Sequence, residues 1–176
     1  LVNLLQQTDG RKADGLVSPG TSILKFLVDG VVPAPDPSQV PATLLPVTEG
    51  PAQLLPEVKV QRRIKADRSN GAWTINGQFF DENRISARPR RGEPEIWILE
   101  SGGGWVHPVH IHLSEFFILS LDGKTPLPLL RGRKDTVLIG GDEQRETRIL
   151  IQFDEFTGRY VFHCHNVEHE DMRMMA

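Results

Sequence analysis

All six histidines of this sequence and its single cysteine lie in two short segments. The first segment is His107–His112 (HPVHIH), and the second is His163–His169 (HCHNVEH). The three methionines follow the second segment, at positions 172, 174 and 175. Imidazole, thiolate and thioether groups together favour copper among the common protein metals. This clustering therefore predicts a metal-binding protein.

Strand geometry divides these side chains between two sites. In a β-strand, alternate residues point to the same face. His110 and His112 therefore share a face, as do His163 and His165, whereas Cys164 points the opposite way. The second segment thus predicts one strand that serves two separate metal sites.

The residue types indicate which metal each site holds. Two histidines, one cysteine and a distant axial methionine form a mononuclear blue-copper centre. Cys164, His169 and Met174 follow one another in the order that such a centre uses, and His107 supplies the second imidazole. The four remaining histidines face the other side, and imidazoles without a thiolate suit copper ions that bind oxygen.

Two plainer interpretations account for the pattern less well. A single histidine in a β domain is usually a core or surface residue, but both segments in one short chain are poorly explained that way. Structural zinc takes four ligands, often several of them cysteines. The single cysteine excludes a CxxC zinc site and also a disulfide framework within the chain.

Composition excludes several other classes of protein. The 176 residues carry a net charge of -3, which argues against a broad basic face for nucleic acid. The longest apolar run is far shorter than the ~18 residues of a membrane helix, so no membrane span is expected. Hydrophobic residues make up 39% of the chain, enough to bury a core.

The elements that must position the ligands are short strands. Runs rich in β-branched and aromatic residues alternate with Gly, Asn and Asp turns, which predicts an antiparallel β-sandwich or barrel. The predicted strands cover residues 22–28, 58–64, 72–76, 95–100, 109–120, 136–139, 147–153 and 160–164.

Seven prolines between Pro33 and Pro56 indicate an extended linker. We therefore predict that residues 1–30 end one domain, that residues 31–56 are a Pro-rich linker, and that residues 57–176 form a complete β domain.

The two metal-binding segments resemble the C-terminal copper motifs of multicopper oxidases. The matching residues are HPVHIHL at 107–113 and YVFHCHNVEHEDMRMM at 160–175, and the resemblance is closest to bilirubin oxidases and spore-coat-type laccases. It implies an all-β, Greek-key cupredoxin fold. Residues 57–176 would be the third cupredoxin domain, and residues 1–30 the end of the second.

The resemblance also implies a role for each ligand. His107, Cys164, His169 and Met174 would bind the type 1 copper, His110 the type 2 copper, and His112, His163 and His165 the type 3 pair. Glu170 would help to deliver protons, since reducing dioxygen to water consumes four of them. Glu170, Cys164 and His169 are the predicted catalytic residues.

The family's oxygen-reducing cluster needs eight histidines, and this sequence offers four. The resemblance therefore implies a partner, an N-terminal portion of the same oxidase on a separate or cleaved chain. The complete enzyme would hold four copper ions. It would be a laccase-like oxidoreductase that couples oxidation of a small reducing substrate, phenolic or similar, to reduction of dioxygen.

Alternative functions remain open at this point. One is an electron-transfer cupredoxin that holds only the type 1 copper, although it would have no use for the other four histidines. Another is a metal-ion (copper, iron or manganese) oxidase of the same family. Copper oxidases of this kind act outside the reducing cytosol, so we expect a secreted protein in an extracellular, periplasmic or cell-surface location.

Overall fold

The computed structural model describes residues 1–6, 14–27, 30, 34–42, 49–102, 104–141 and 146–176. The chain divides into two compact units, Leu1–Thr48 and Glu49–Ala176. Parts of the predicted linker, residues 31–33 and 43–48, lie outside the described residues, as does Val28 of the first predicted strand.

The first unit contains one antiparallel pair of strands, β1 (Val2–Gln6) and β2 (Gly15–Ser22). The strand predicted for residues 22–28 is wrong over 23–27, which form no regular structure. Although this segment is apolar, Ile23 and Phe26 are 63% and 75% exposed, and no described strand pairs with it.

The second unit is a sandwich of two sheets. Its elements, in chain order, are α1 (Pro51–Leu54), β3 (Val60–Ser69), β4 (Ala72–Ile75), β5 (Pro94–Ser101), β6 (Val106–Ile111), β7 (Phe116–Leu121), β8 (Arg133–Lys134), β9 (Thr136–Gly140), β10 (Glu146–Gln152), β11 (Phe162–Cys164) and α2 (Val167–Asp171). The larger sheet has the order β4-β3-β5-β10-β7-β8, and the smaller has the order β11-β6-β9. The predicted all-β sandwich is confirmed.

The core lies between the two sheets. It takes side chains from both, because alternate residues of each strand point inward. Trp97, Leu99 and Ile149 fill it from the larger sheet, and Ile111 and Ile139 from the smaller. Cys164 belongs to the same buried cluster, so the sandwich itself shields the thiol from water.

One charged group is buried at the start of β5. Glu95 is 2% exposed, and its carboxylate accepts hydrogen bonds from Arg62 Nε at 2.6 Å and Arg62 Nη2 at 2.7 Å. The indole Nε1–H of Trp97 donates to the same carboxylate at 2.9 Å. A buried charge is tolerated when it is paired and hydrogen-bonded, and this network fixes β3 against β5.

The compact second unit begins before residue 57. Pro51 occupies the first turn of α1, where its missing N–H costs nothing. Leu54 is 4% exposed and packs with Phe117 and Leu150. The end of the proline-rich stretch therefore contributes a helix to this unit.

The single strand predicted for residues 109–120 is wrong, because the structure has two strands there. β6 ends at Ile111 and β7 begins at Phe116. Leu113 adopts a left-handed backbone conformation with φ of 59°, which a continuous strand does not allow. The break leaves His112 just beyond the end of β6, the central strand of the smaller sheet.

Candidate metal centres

Two neighbouring strands position four of the seven His and Cys side chains, and His112 and His165 each directly follow one of these strands. β6 and β11 pair antiparallel, with His163 opposite His110 and Cys164 opposite Val109. Alternation along β6 turns His107 inward, where it is fully buried, and leaves His110 half-buried on the opposite face. The same alternation along β11 separates Cys164 from His163.

The inner face holds a compact group of three donor atoms. Cys164 Sγ lies 3.6 Å from His107 Nδ1 and 3.5 Å from His169 Nδ1, and the two Nδ1 atoms are 3.1 Å apart. All three residues are buried. His169 comes from α2, which begins where the Asn166 side chain accepts a hydrogen bond from the Glu168 N–H.

Met174 lies beside this group. The Cys164 N–H donates to the Met174 carbonyl at 3.0 Å, and the Met174 N–H donates to the His169 carbonyl at 2.9 Å. Its side chain is 1% exposed and lines a small apolar cavity with Cys164. The backbone thus ties the fourth predicted ligand to two of the others.

Burial sets the protonation of these groups. It lowers the pKa of His107 to about 4, helped by the neighbouring His169, and it also lowers the pKa of His169. Burial raises the pKa of the Cys164 thiol to about 11, against a backbone hydrogen bond from Asn166. At neutral pH both imidazoles are therefore neutral, with lone pairs available to a metal.

The donor set fits copper. Two neutral imidazole nitrogens and a thiol converge in a dry site next to a thioether, which is the ligand combination of a blue-copper centre. In addition, His107 Nε2 is buried without a hydrogen-bond partner among the described residues, so the ring is held by packing and by its Nδ1 side.

Two tryptophans that sequence reasoning did not single out cover this centre. The Trp73 ring centroid lies 4.0 Å from that of His169 and 5.2 Å from that of His107. Trp105 packs edge-on against Trp73 at 5.1 Å and lies 5.6 Å from His169. Only the position of Trp105, two residues before His107 in the sequence, could have signalled this contact.

The opposite face holds a second group of imidazoles. His110, His112 and His163 bring one nitrogen each within 4.8 Å of one another, and His112 Nε2 lies 3.1 Å from His163 Nε2. His110 Nδ1 lies 3.0 Å from the Asp135 carbonyl, and His163 Nδ1 lies 3.0 Å from the Cys164 carbonyl. With Nδ1–H donating to these carbonyls, each ring keeps Nε2 for a metal.

His165 stands slightly apart from this group. Its ring centroid is 5.2 Å from that of His163 and 5.6 Å from that of His110, and its side chain is 55% exposed. Glu170 Oε2 lies 3.5 Å from His165 Nδ1 and 3.6 Å from His163 Nδ1. The predicted proton-delivering carboxylate thus lies against two of the four rings.

Comparison with known proteins finds similarity to copper-containing oxidases. The sequence model of the multicopper oxidase family matches residues 53–176. The bilirubin oxidase of Albifimbria verrucaria is 38% identical over 162 residues, which are 88% of this chain and 27% of that protein. A laccase of Haloferax volcanii is 35% identical over 162 residues, which are 88% of this chain and 28% of that protein.

Solved structures of oxidases share the fold. A laccase-like multicopper oxidase of Ochrobactrum sp. superposes with a TM-score of 0.62 at 29% identity, covering 90% of this chain and 38% of that one. A metallo-oxidase of Campylobacter jejuni superposes with a TM-score of 0.60 at 26% identity, covering 80% and 32%. This chain spans little more than a quarter of the curated relatives' length. It belongs to the multicopper oxidase family, whose cofactor is copper.

Proposed function

We propose that this chain provides the electron-accepting copper centre and half of the oxygen-reducing cluster of a laccase- or bilirubin-oxidase-like enzyme. His107, Cys164, His169 and Met174 hold the type 1 copper. His110 holds the type 2 copper, and His112, His163 and His165 hold the type 3 pair. Residues 57–176 correspond to a third cupredoxin domain, and residues 1–30 to the end of a second.

One observation carries this proposal. Two consecutive residues of β11, His163 and Cys164, point to opposite faces of the smaller sheet, where each belongs to a separate group of possible metal ligands. An electron-transfer cupredoxin needs only the inner site. The imidazole group on the other face therefore favours the oxidase.

The chain's own residues prepare both sites. The Asp135 and Cys164 carbonyls orient His110 and His163 so that Nε2 faces outward. The Glu170 carboxylate, half-buried beside His163 and His165, is placed to accept a proton and pass it toward this face. When bound, copper supplies the redox chemistry, one-electron oxidation of a phenolic or similar donor coupled to reduction of dioxygen to water.

The remaining histidines of the cluster come from an N-terminal portion of the same oxidase. His165 is the most exposed of the four rings, as expected for a cluster completed by other polypeptide. Among the described residues, no helix is long and apolar enough to cross a membrane. We propose an extracellular, periplasmic or cell-surface location, because copper oxidases of this kind act outside the reducing cytosol.

Copper loading with paired variants tests the proposal. We expect the chain to develop the intense blue absorption of a copper–thiolate bond, and Cys164→Ser to abolish it. His112→Ala should keep the blue colour in the chain but lower oxygen consumption of the oxidase that contains it by about 100-fold or more. A colourless copper complex, or one whose spectrum is unchanged in Cys164→Ser, would contradict the proposal.

A further inference from the structure

The β3–β4 hairpin holds a cation above the tryptophan cover of the inner metal centre. Arg68 on β3 pairs directly with Trp73 on β4. Its guanidinium carbon lies 5.3 Å from the Trp73 ring centroid and 6.0 Å from that of Trp105. Arg68 Nη2 donates to the Gly71 carbonyl at 3.3 Å. A carbonyl and two rings carry no formal charge, so these contacts fix the guanidinium without neutralising it.

The indole ring of Trp73, and not solvent, fills the space between the Arg68 guanidinium and the His169 ring. The Trp73 side chain is 3% exposed and packs against His169, with the ring centroids 4.0 Å apart and the ring planes tilted by 43°. The two ring distances place the guanidinium within roughly 10 Å of the His169 ring, about one Debye length at 0.1 M salt. Because the intervening space is filled by an indole, the charge is screened less than across the same distance of solvent.

The surrounding charges make the effect of Arg68 separable. Asp67, its neighbour on β3, is paired with Lys65 at 2.6 Å. Glu168, next to His169 in α2, is exposed and opposes Arg68 in its effect on His169. One cation and one anion thus act on the same imidazole with opposite signs, and each can be removed alone.

We propose that Arg68 raises the reduction potential of the copper held by His107, Cys164 and His169. Reduction adds one electron and lowers the charge of the metal by one, so a fixed neighbouring cation disfavours the oxidised ion more than the reduced one. The proposal rests on the function proposed above and adds to it a residue that touches neither copper nor donor.

The test is a redox titration of the copper-loaded 176-residue chain against a mediator, at low ionic strength. Arg68→Gln should lower the ratio of Cu⁺ to Cu²⁺ binding constants by three- to tenfold, and a tenfold change corresponds to about 59 mV for one electron. Arg68→Lys, which keeps the charge, should retain at least half of the wild-type effect. Glu168→Gln should shift the potential in the opposite direction.

The matched control is Arg63→Gln. Arg63 lies on the same strand, is exposed and is paired with Glu100 at 2.6 Å. It is five residues from Arg68, about 17 Å along the strand, so its removal should leave the potential unchanged. Raising the salt to 1 M, where the Debye length is about 3 Å, should reduce the difference between wild type and Arg68→Gln.

Several results would overturn the inference. An unchanged potential in Arg68→Gln would do so, and equal losses in the Gln and Lys variants would assign the effect to packing. If Arg68→Gln does not fold, Arg68→Met, which keeps an apolar stem on Trp73, replaces it in the same comparison. A wild-type chain without blue absorption would instead refute the proposed function and, with it, this inference.

Discussion

At the scale of single residues, the inner centre is a set of groups that the fold keeps uncharged. The folded chain holds the pKa of His107 near 4, against 6.5 for the free side chain, mainly because the ring is buried. Its neutral form is therefore favoured in the folded state. This contribution to stability is present above pH 6.5 and is lost as the pH falls from 6.5 toward 4.

The copper-free chain should therefore lose stability on mild acidification. We expect the free energy of unfolding in urea to fall by about 2 kcal/mol between pH 6.5 and pH 4.5 through His107 alone. His107→Gln should flatten this part of the profile, whereas His165→Gln, at a largely exposed ring, should leave it as in the wild type. Equal slopes for wild type and His107→Gln would contradict the assignment.

Some residue contacts in this structure were predictable from the sequence, and others were not. The order of histidines, cysteine and methionine predicted which side chains gather, because strand alternation follows directly from sequence position. The Arg68–Trp73 contact was not predictable, because it depends on the register between two strands. The burial of Glu95 was equally hidden, since its partner Arg62 arrives through a parallel pairing of β3 with β5.

At the scale of elements, the strand that carries Cys164 is very short and is held by its neighbours. β11 has three residues and pairs with β6 on one side. On the other side, Cys164 and Phe162 bond to the backbones of Met174 and Ala176. The sequence predicted the strand, but not that the segment carrying Met174 would pair with it, since that segment also contains the turn residue Arg173 with φ of 61°.

The contact between β9 and the start of β6 depends on a glycine. Gly140 has φ of 94°, and a Cβ there would lie 2.0 Å from the Trp105 carbonyl oxygen. Gly140→Ala must therefore displace the backbone two residues from His107. We expect a loss of about 3 kcal/mol in the free energy of unfolding and a shifted copper–thiolate absorption band.

Gly123→Ala provides the comparison for this prediction. Gly123 has φ of 74°, but a Cβ there meets nothing within 4 Å. Its substitution should cost only the backbone strain, about 1 kcal/mol, and leave the copper spectrum unchanged. If both variants lose the same stability in urea titrations, the close approach at Gly140 is not what the fold requires.

At the scale of the whole molecule, the two metal groups differ in how much of their surroundings this chain supplies. The inner centre is enclosed by the sandwich core, and His107, Cys164 and His169 are at most 3% exposed. The outer group is open, and His165 is 55% exposed. One group of donor atoms is thus enclosed by the chain, while the other is open on one side, as the proposed completion by further polypeptide requires.

This difference predicts two classes of copper binding. Alone, the chain should keep one copper, with blue absorption, against a chelator that removes copper from the outer histidines, because four imidazoles on an open face lack the ligands that close that site. It should not reduce dioxygen. The oxidase that contains this chain should hold four copper ions and consume oxygen. Metal analysis after chelation and oxygen-electrode measurements test this prediction. Four retained copper ions, or full oxygen consumption by the chain alone, would show that the cluster needs no further polypeptide.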